Sequence, residues 1–225
     1  GEFQLDPVGQ QNRIMEDADT QLKELTGDQP IPWEPLITVG KPADEISRAV
    51  EEKNIDLVIT ATRGRSGLKR IILGSVTERL MRTLGCPLLV VNSPEHKFVS
   101  TADQVIKIEK ILVGCDFSPD SDQAFNYALS LAQEFEAELH LAHVIEPPRQ
   151  SEVHREDTPV PKDMQQNYRD LLNRKLKEMV PVEARYWCTP QTGLLEGQAY
   201  EEIVRYAESK DIDMIVLGVR GHGLV

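Results

Sequence analysis

The chain has 225 residues, 40% hydrophobic and 28% charged, enough apolar content to bury a core. Its formal net charge of −12 disfavours nucleic acid and anionic lipid, whose phosphates such a surface repels. Cys86, Cys115 and Cys188 are scattered with no CxxC pair, which argues for a cytoplasmic chain rather than a secreted disulfide scaffold; no apolar run of about 18 residues suggests a membrane helix, and the first residues, GEFQLDPVGQQNR, carry no basic-then-apolar leader.

In chain order, residues 13–25 read as a helix and 36–40 close a strand. A helix follows with Ile46 and Val50 on one apolar stripe, and Asp44, Glu45, Glu51, Glu52 and Lys53 mainly off it. Residues 55–60, IDLVIT, are apolar without alternation, the pattern of a strand buried on both faces of a parallel sheet. A glycine-rich stretch leads to a helix at 75–84 and a strand at 87–92. Residues 93–105 are polar, contain a proline, and read as a linker. Then come a strand at 110–114, a helix at 121–136 and a strand at 138–145. An exposed loop is expected at 147–161, an amphipathic helix at 164–179 and a strand at 184–188. A last helix carries Ile203 and Ala207, and a last strand covers 212–217. Strands alternating with helices predict β-α-β units in a doubly wound parallel sheet, an α/β fold.

One repeat organises this order. Residues 40–64, GKPADEISRAVEEKNIDLVITATRG, match residues 197–221, GQAYEEIVRYAESKDIDMIVLGVRG, at a constant offset of 157 with ten of 25 positions identical. Two copies of a domain-sized unit are therefore expected, divided as residues 1–99 and 100–225. Compared element by element, the first copy starts at the counterpart of the second copy's long helix. The second stops soon after its Gly221, so each is expected to be a portion of a whole unit, the first C-terminal and the second N-terminal.

The stretch from Ala61 to Val76, ATRGRSGLKRIILGSV, carries the chemistry. It leaves a buried strand at the carboxyl edge, where open α/β sheets bind ligands, and its glycines let backbone approach a phosphate. Ser75 is expected to cap a helix whose first N–H groups favour an anion. Arg63, Arg65, Lys69 and Arg70 add a local +4 to an acidic chain. Without further context, a solvated basic turn explains the stretch about as well. Neither GxxxxGK[ST] nor GxGxxG is present. A second element, ILVGCDFS at 111–118, is an apolar strand ending in Asp116. That carboxylate can accept a bond from a ligand amine or hydroxyl, or else serve as a cap or Asx turn for the helix that follows. His140, His143 and Cys115 match no zinc spacing and read as structural. No nucleophile–base array appears, so binding is favoured over turnover.

The spacing of Gly64, nine residues, then Gly74-Ser75 resembles the universal stress protein signature G-x2-G-x9-G-[ST]. Ala61 replaces its first glycine. Gly218-Val219-Arg220-Gly221 supplies both first glycines in the second copy, and GCPLLVV at 85–91 is similar to the family's last strand. The resemblance implies a Rossmann-like fold of the adenine nucleotide alpha hydrolase type. It also implies ATP or a related adenine nucleotide as ligand, with Mg accompanying it. Asp116 and Val144 would face the base, and Gly218, Arg220, Gly221, Ala61, Arg63, Gly64, Arg65, Gly74, Ser75 and Val76 would take ribose and phosphates. A stress-signalling role without strong catalysis and a homodimer or intrachain pseudo-dimer follow from it, with no nucleic-acid or membrane partner. The alternatives are an interaction module of the same fold, or a slow ATPase.

Overall fold

The computed structural model describes residues 7–27, 32–61, 74–91, 106–147 and 161–219. The chain divides into two compact units, Gly1–Ser93 and Pro94–Val225.

The first unit contains α1 (Pro7–Thr26), α2 (Pro42–Lys53), β1 (Val58–Ala61), α3 (Ser75–Thr83) and β2 (Leu88–Val91). Pro42 opens α2, where a missing N–H costs nothing, and Asn54 ends it in the left-handed conformation with φ 50. β1 and β2 pair in parallel, from Val58↔Leu88 to Ala61↔Val91. The two later helices pack together, with Ala43 and Val50 of α2 and Thr77 and Leu80 of α3 buried. Ser47 Oγ lies 3.1 Å from Thr83 Oγ1 across that contact, and Arg79 pairs with Asp44 at 2.6 Å.

The expected strand at 36–40 does not form. At the offset of 157, residues 34–39 correspond to 191–196, which in the second unit are a strand hydrogen-bonded to a neighbour. Among the described residues, residues 34–39 have no such neighbour, and an unpaired extended segment gains no ladder bonds. Leu36 and Val39 remain exposed.

The second unit contains β3 (Lys110–Gly114), α4 (Pro119–Phe135), β4 (Glu138–Ile145), α5 (Lys162–Met179), β5 (Gln191–Glu196), α6 (Ala199–Lys210) and β6 (Met214–Leu217). Its sheet runs β5-β4-β3-β6, every pair parallel. Alternation along β3 splits the core. Ile111 and Val113 face one way, into a cluster with Phe125, Ala128 and Ala132 of α4, Leu139 and Leu141 of β4, and Leu176 of α5. Leu112 faces the other, with Ala142 of β4 and Ile203 and Ala207 of α6. Helices thus cover both faces, the doubly wound arrangement expected from the sequence. Alanines at 124, 128 and 132 are spaced one helical turn apart, which lets α4 lie close on the sheet.

The expected strand at 184–188 is a 3-10 turn, Val182–Tyr186, and the strand lies later, at β5. Ala184 is that turn's buried residue, and its carbonyl accepts from Trp187 N at 3.3 Å and Cys188 N at 2.9 Å. The turn thus spends locally a carbonyl that a strand would have offered to a neighbour. The linker expected at 93–105 and most of the loop at 147–161 lie outside the described residues.

The repeat survives in three dimensions. Asp211 ends α6 with φ 52, as Asn54 ends α2. Glu45 bonds Arg48 and reaches beneath Gly40, where an added Cβ would sit 2.6 Å from its Oε1. Glu202 bonds Arg205 and lies beneath Gly197 in the same way, 2.7 Å from the corresponding Cβ position. Each glycine leaves room for a carboxylate in the first turn of a helix, where the positive dipole end favours it.

Candidate functional site

The second unit's strand order reverses beside β3. The chain moves from β3 to β4 and β5 on one side, then returns to place β6 on the other. In open parallel sheets the crevice at such a switch point is where ligands bind. Gly114 registers with Ala142 of β4 and with Leu217 of β6. Asp116, Val144 and Gly218 therefore emerge at one carboxyl edge, just beyond a single row of the sheet. All three are half-buried.

Asp116 Oδ1 accepts from Ser118 N at 2.9 Å, closing an Asx turn. The helix cap itself is Ser118, whose Oγ accepts from Ser121 N at 3.2 Å, with Pro119 in the first helical turn. Asp116 thus shapes the turn rather than capping the helix. Phe117 carries φ 62, unusual for an aromatic residue. Its ring lies 4.8 Å from the His143 ring, and Lys175 Nζ stands 5.4 Å from its centre. His143 Nδ1 lies 2.7 Å from the Cys115 carbonyl, which can only accept, so the network assigns the proton to Nδ1. Sequence reasoning missed this support of Phe117: Lys175 is far away in sequence and carries no motif.

Gly218 is required by close packing. A Cβ there would stand 2.6 Å from the Asp120 carbonyl carbon, 2.8 Å from its oxygen and 2.9 Å from Ser121 N. The loop after β6 is thereby held against the first turn of α4. Arg220 and Gly221 lie outside the described residues. Glu146 Oε1 accepts from Ala199 N at 2.9 Å, so a carboxylate already sits on the first turn of α6.

In the first unit, Ala61 ends β1 and is exposed. Its carbonyl is 3.5 Å from the hydroxyl of buried Thr77, which ties the strand end to α3. Gly74, not Ser75, is the N-cap; its carbonyl accepts from Glu78 N at 2.9 Å, so Ser75 is already the first helical residue. Ser75 is exposed and Val76 half-buried. Arg63, Gly64 and Arg65, with Lys69 and Arg70, lie outside the described residues.

The thiol of Cys115, directly before Asp116, is 4% exposed. Burial pushes its pKa up to about 12, with the Asp116 and Asp122 charges adding to the effect. It packs as a small apolar residue. An open depression of about 470 Å³, lined by Glu136, Trp187 and Cys188 among others, lies at the amino end of β4, the edge of the sheet away from Asp116. Among the described residues no cluster of His, Cys, Asp and Glu could hold a metal, and no helix is long and apolar enough to cross a membrane.

The sequence profile of the universal stress protein family matches residues 4–92 and 107–225. Universal stress protein MJ0531 of Methanocaldococcus jannaschii is 47% identical over 58 residues, 26% of this chain and 34% of that protein. Universal stress protein YxiE of Bacillus subtilis is 35% identical over 79 residues, 35% of this chain and 51% of that protein. These matches span about a third to a half of the relatives' lengths. The crystal structure of a universal stress protein from Archaeoglobus fulgidus superposes with a TM-score of 0.61 at 19% identity, covering 96% of this chain and 70% of that one, which shows a shared fold. The chain belongs to the universal stress protein family, with one family match in each of its two units.

Proposed function

We propose that the second unit binds ATP or a related adenine nucleotide at the carboxyl edge of β3, β4 and β6, and that the protein acts in stress signalling by binding rather than turnover. One observation carries this reading: Asp116, Val144 and Gly218 flank the topological switch point from three adjacent strands. The Asp116 carboxylate accepts from an adenine amine or a hydroxyl, Val144 offers the base an apolar wall, and the loop from Gly218 through Arg220 and Gly221 takes ribose and phosphates. In the first unit the corresponding role toward phosphates falls to Ala61, Arg63, Gly64, Arg65, Gly74, Ser75 and Val76. A methyl at Ala61 where the signature has glycine weakens it. Mg²⁺ enters with the nucleotide's phosphates. The chain works in the cytoplasm, as a homodimer or with its two units paired.

Isothermal titration with ATP tests the proposal. A saturable heat that Asp116→Ala reduces at least tenfold in affinity is expected, since a hydrogen bond to a charged group is worth about 1.5–3 kcal/mol. No heat at millimolar ATP would end the claim and leave an interaction module of the same fold.

A further inference from the structure

On the α6 side of the second unit, away from the candidate site, lies a titratable group with no part in nucleotide binding. His140 projects from β4, 4% exposed, into the contact with α6. Its Nδ1 is 3.0 Å from the Tyr206 hydroxyl of α6, and the two rings meet edge to face at 5.8 Å. Its Nε2 is buried without a hydrogen-bond partner, with Glu138 Oε2 standing 3.6 Å off. Gly193 of β5 makes room for the tyrosine, because a Cβ there would lie 3.3 Å from the Tyr206 ring. The first unit has no counterpart: at the offset of 157, Tyr206 corresponds to Ala49 and Gly193 to Leu36.

The geometry points to a proton-operated latch in which neutral His140 holds Tyr206, and with it α6, against the sheet, and its protonation loosens them. The neutral ring is best served with its proton on Nε2, directed toward the Glu138 carboxylate, and with Nδ1 accepting from the tyrosine hydroxyl. A second proton converts Nδ1 from acceptor to donor. The Tyr206 oxygen can then accept from Nδ1, but its own proton must turn away from the ring and the buried ring now carries charge, so the clamp is weakened. Every charged or titratable group facing the ring bears on the outcome. Burial opposes the imidazolium most. Glu138, on β4 itself, favours it, while Lys110 of β3 and Lys210 of α6 oppose it, so the pKa lies below the ordinary 6.5. Tyr206 is itself held protonated, its pKa raised by burial and then by Glu138.

The sign follows from those directions. The unfolded chain takes up the proton first as pH falls through about 6.5. The latch therefore contributes fully above that pH and is lost progressively as pH falls from there toward the folded value. The test is amide hydrogen exchange on the full chain at pH 7.5 and 5.5, with rates corrected for intrinsic exchange. Protection of the α6 amides should fall at the lower pH, by at most about tenfold because pH 5.5 lies one unit below the ordinary 6.5, while α4 amides change less. His140→Gln should abolish the difference between the helices. Tyr206→Phe, which keeps the ring and removes only the hydroxyl, should lower α6 protection at pH 7.5 toward the acid value, and it remains readable should His140→Gln fail to fold. An equal fall in α4 and α6, a fall that persists in His140→Gln, or unchanged protection in Tyr206→Phe at pH 7.5 would each overturn the latch.

Discussion

Gly218→Ala probes how tightly the loop after β6 is bound to the start of α4. The φ of Gly218 lies outside the region that side chains rarely adopt, so the backbone itself admits alanine. The obstacle is what the methyl meets: main-chain atoms of Asp120 and Ser121 at 2.6–2.9 Å. Such contacts are relieved only by moving main chain, either the segment after β6 or the first turn of α4 with the Ser118 cap and the Asp116 turn. Overpacking of this kind costs about 1–3 kcal/mol. Gly114→Ala is the internal control. Its Cβ would also stand 2.6 Å from a neighbour, but that neighbour is the tip of Leu217, 57% exposed and able to swing aside. The cost there is about 0.5–1.5 kcal/mol, the price of an off-rotamer side chain. Urea unfolding followed by Trp187 fluorescence in a Trp33→Phe background reports on the second unit, since Trp187 packs against its core. Gly218→Ala should shift the midpoint further than Gly114→Ala, with the slope of the transition unchanged. Equal shifts, or the reverse order, would refute the close packing of loop on helix.

Other substitutions test the supports of the same unit. Leu112→Ala removes a side chain with no exposure from the α6-facing core and should cost about 2–5 kcal/mol by the same urea assay. Ser118→Ala removes the α4 cap and should cost about 1 kcal/mol, whereas Ser118→Asp should retain most of the stability. Asp213 Oδ2 accepts from Glu109 N at 2.8 Å and Lys110 N at 2.9 Å, pinning the start of β6 to β3. Asp213→Ala should therefore cost about 1.5–3 kcal/mol and speed exchange of β6 amides before those of β4. Burial pushes the Cys115 thiol up to about 12, so it stays neutral and shielded at pH 8. A disulfide reagent should leave it unmodified in the native protein and label it in urea; prompt native labelling would contradict its burial.

The sequence by itself determined what depends on neighbours along the chain. Unbroken apolar runs located β1, β3 and β6, and helical stripes identified the helices around them, but burial on both faces holds only for β3: β1 leaves Ile59 63% exposed and β6 leaves Ile215 and Leu217 exposed. The constant offset of 157 announced two copies, and the structure keeps that equivalence down to the left-handed ends at Asn54 and Asp211. Asp116 was legible as a strand-end carboxylate because it directly follows the apolar run at 111–115, and the Asx turn it closes is one of the roles the sequence left open. Only the tertiary structure decided which extended segment becomes a strand. Residues 34–39 and 191–196 occupy the same place in the repeat, yet 191–196 pair with β4 and 34–39 have no such neighbour among the described residues. Ladder bonds are made between segments far apart in sequence, so local pattern cannot report whether a partner stands alongside. The same distance hid the Tyr206–His140 contact, 66 residues apart, and the packing of Gly218 on α4, which exist only once the strands have taken their order in the sheet.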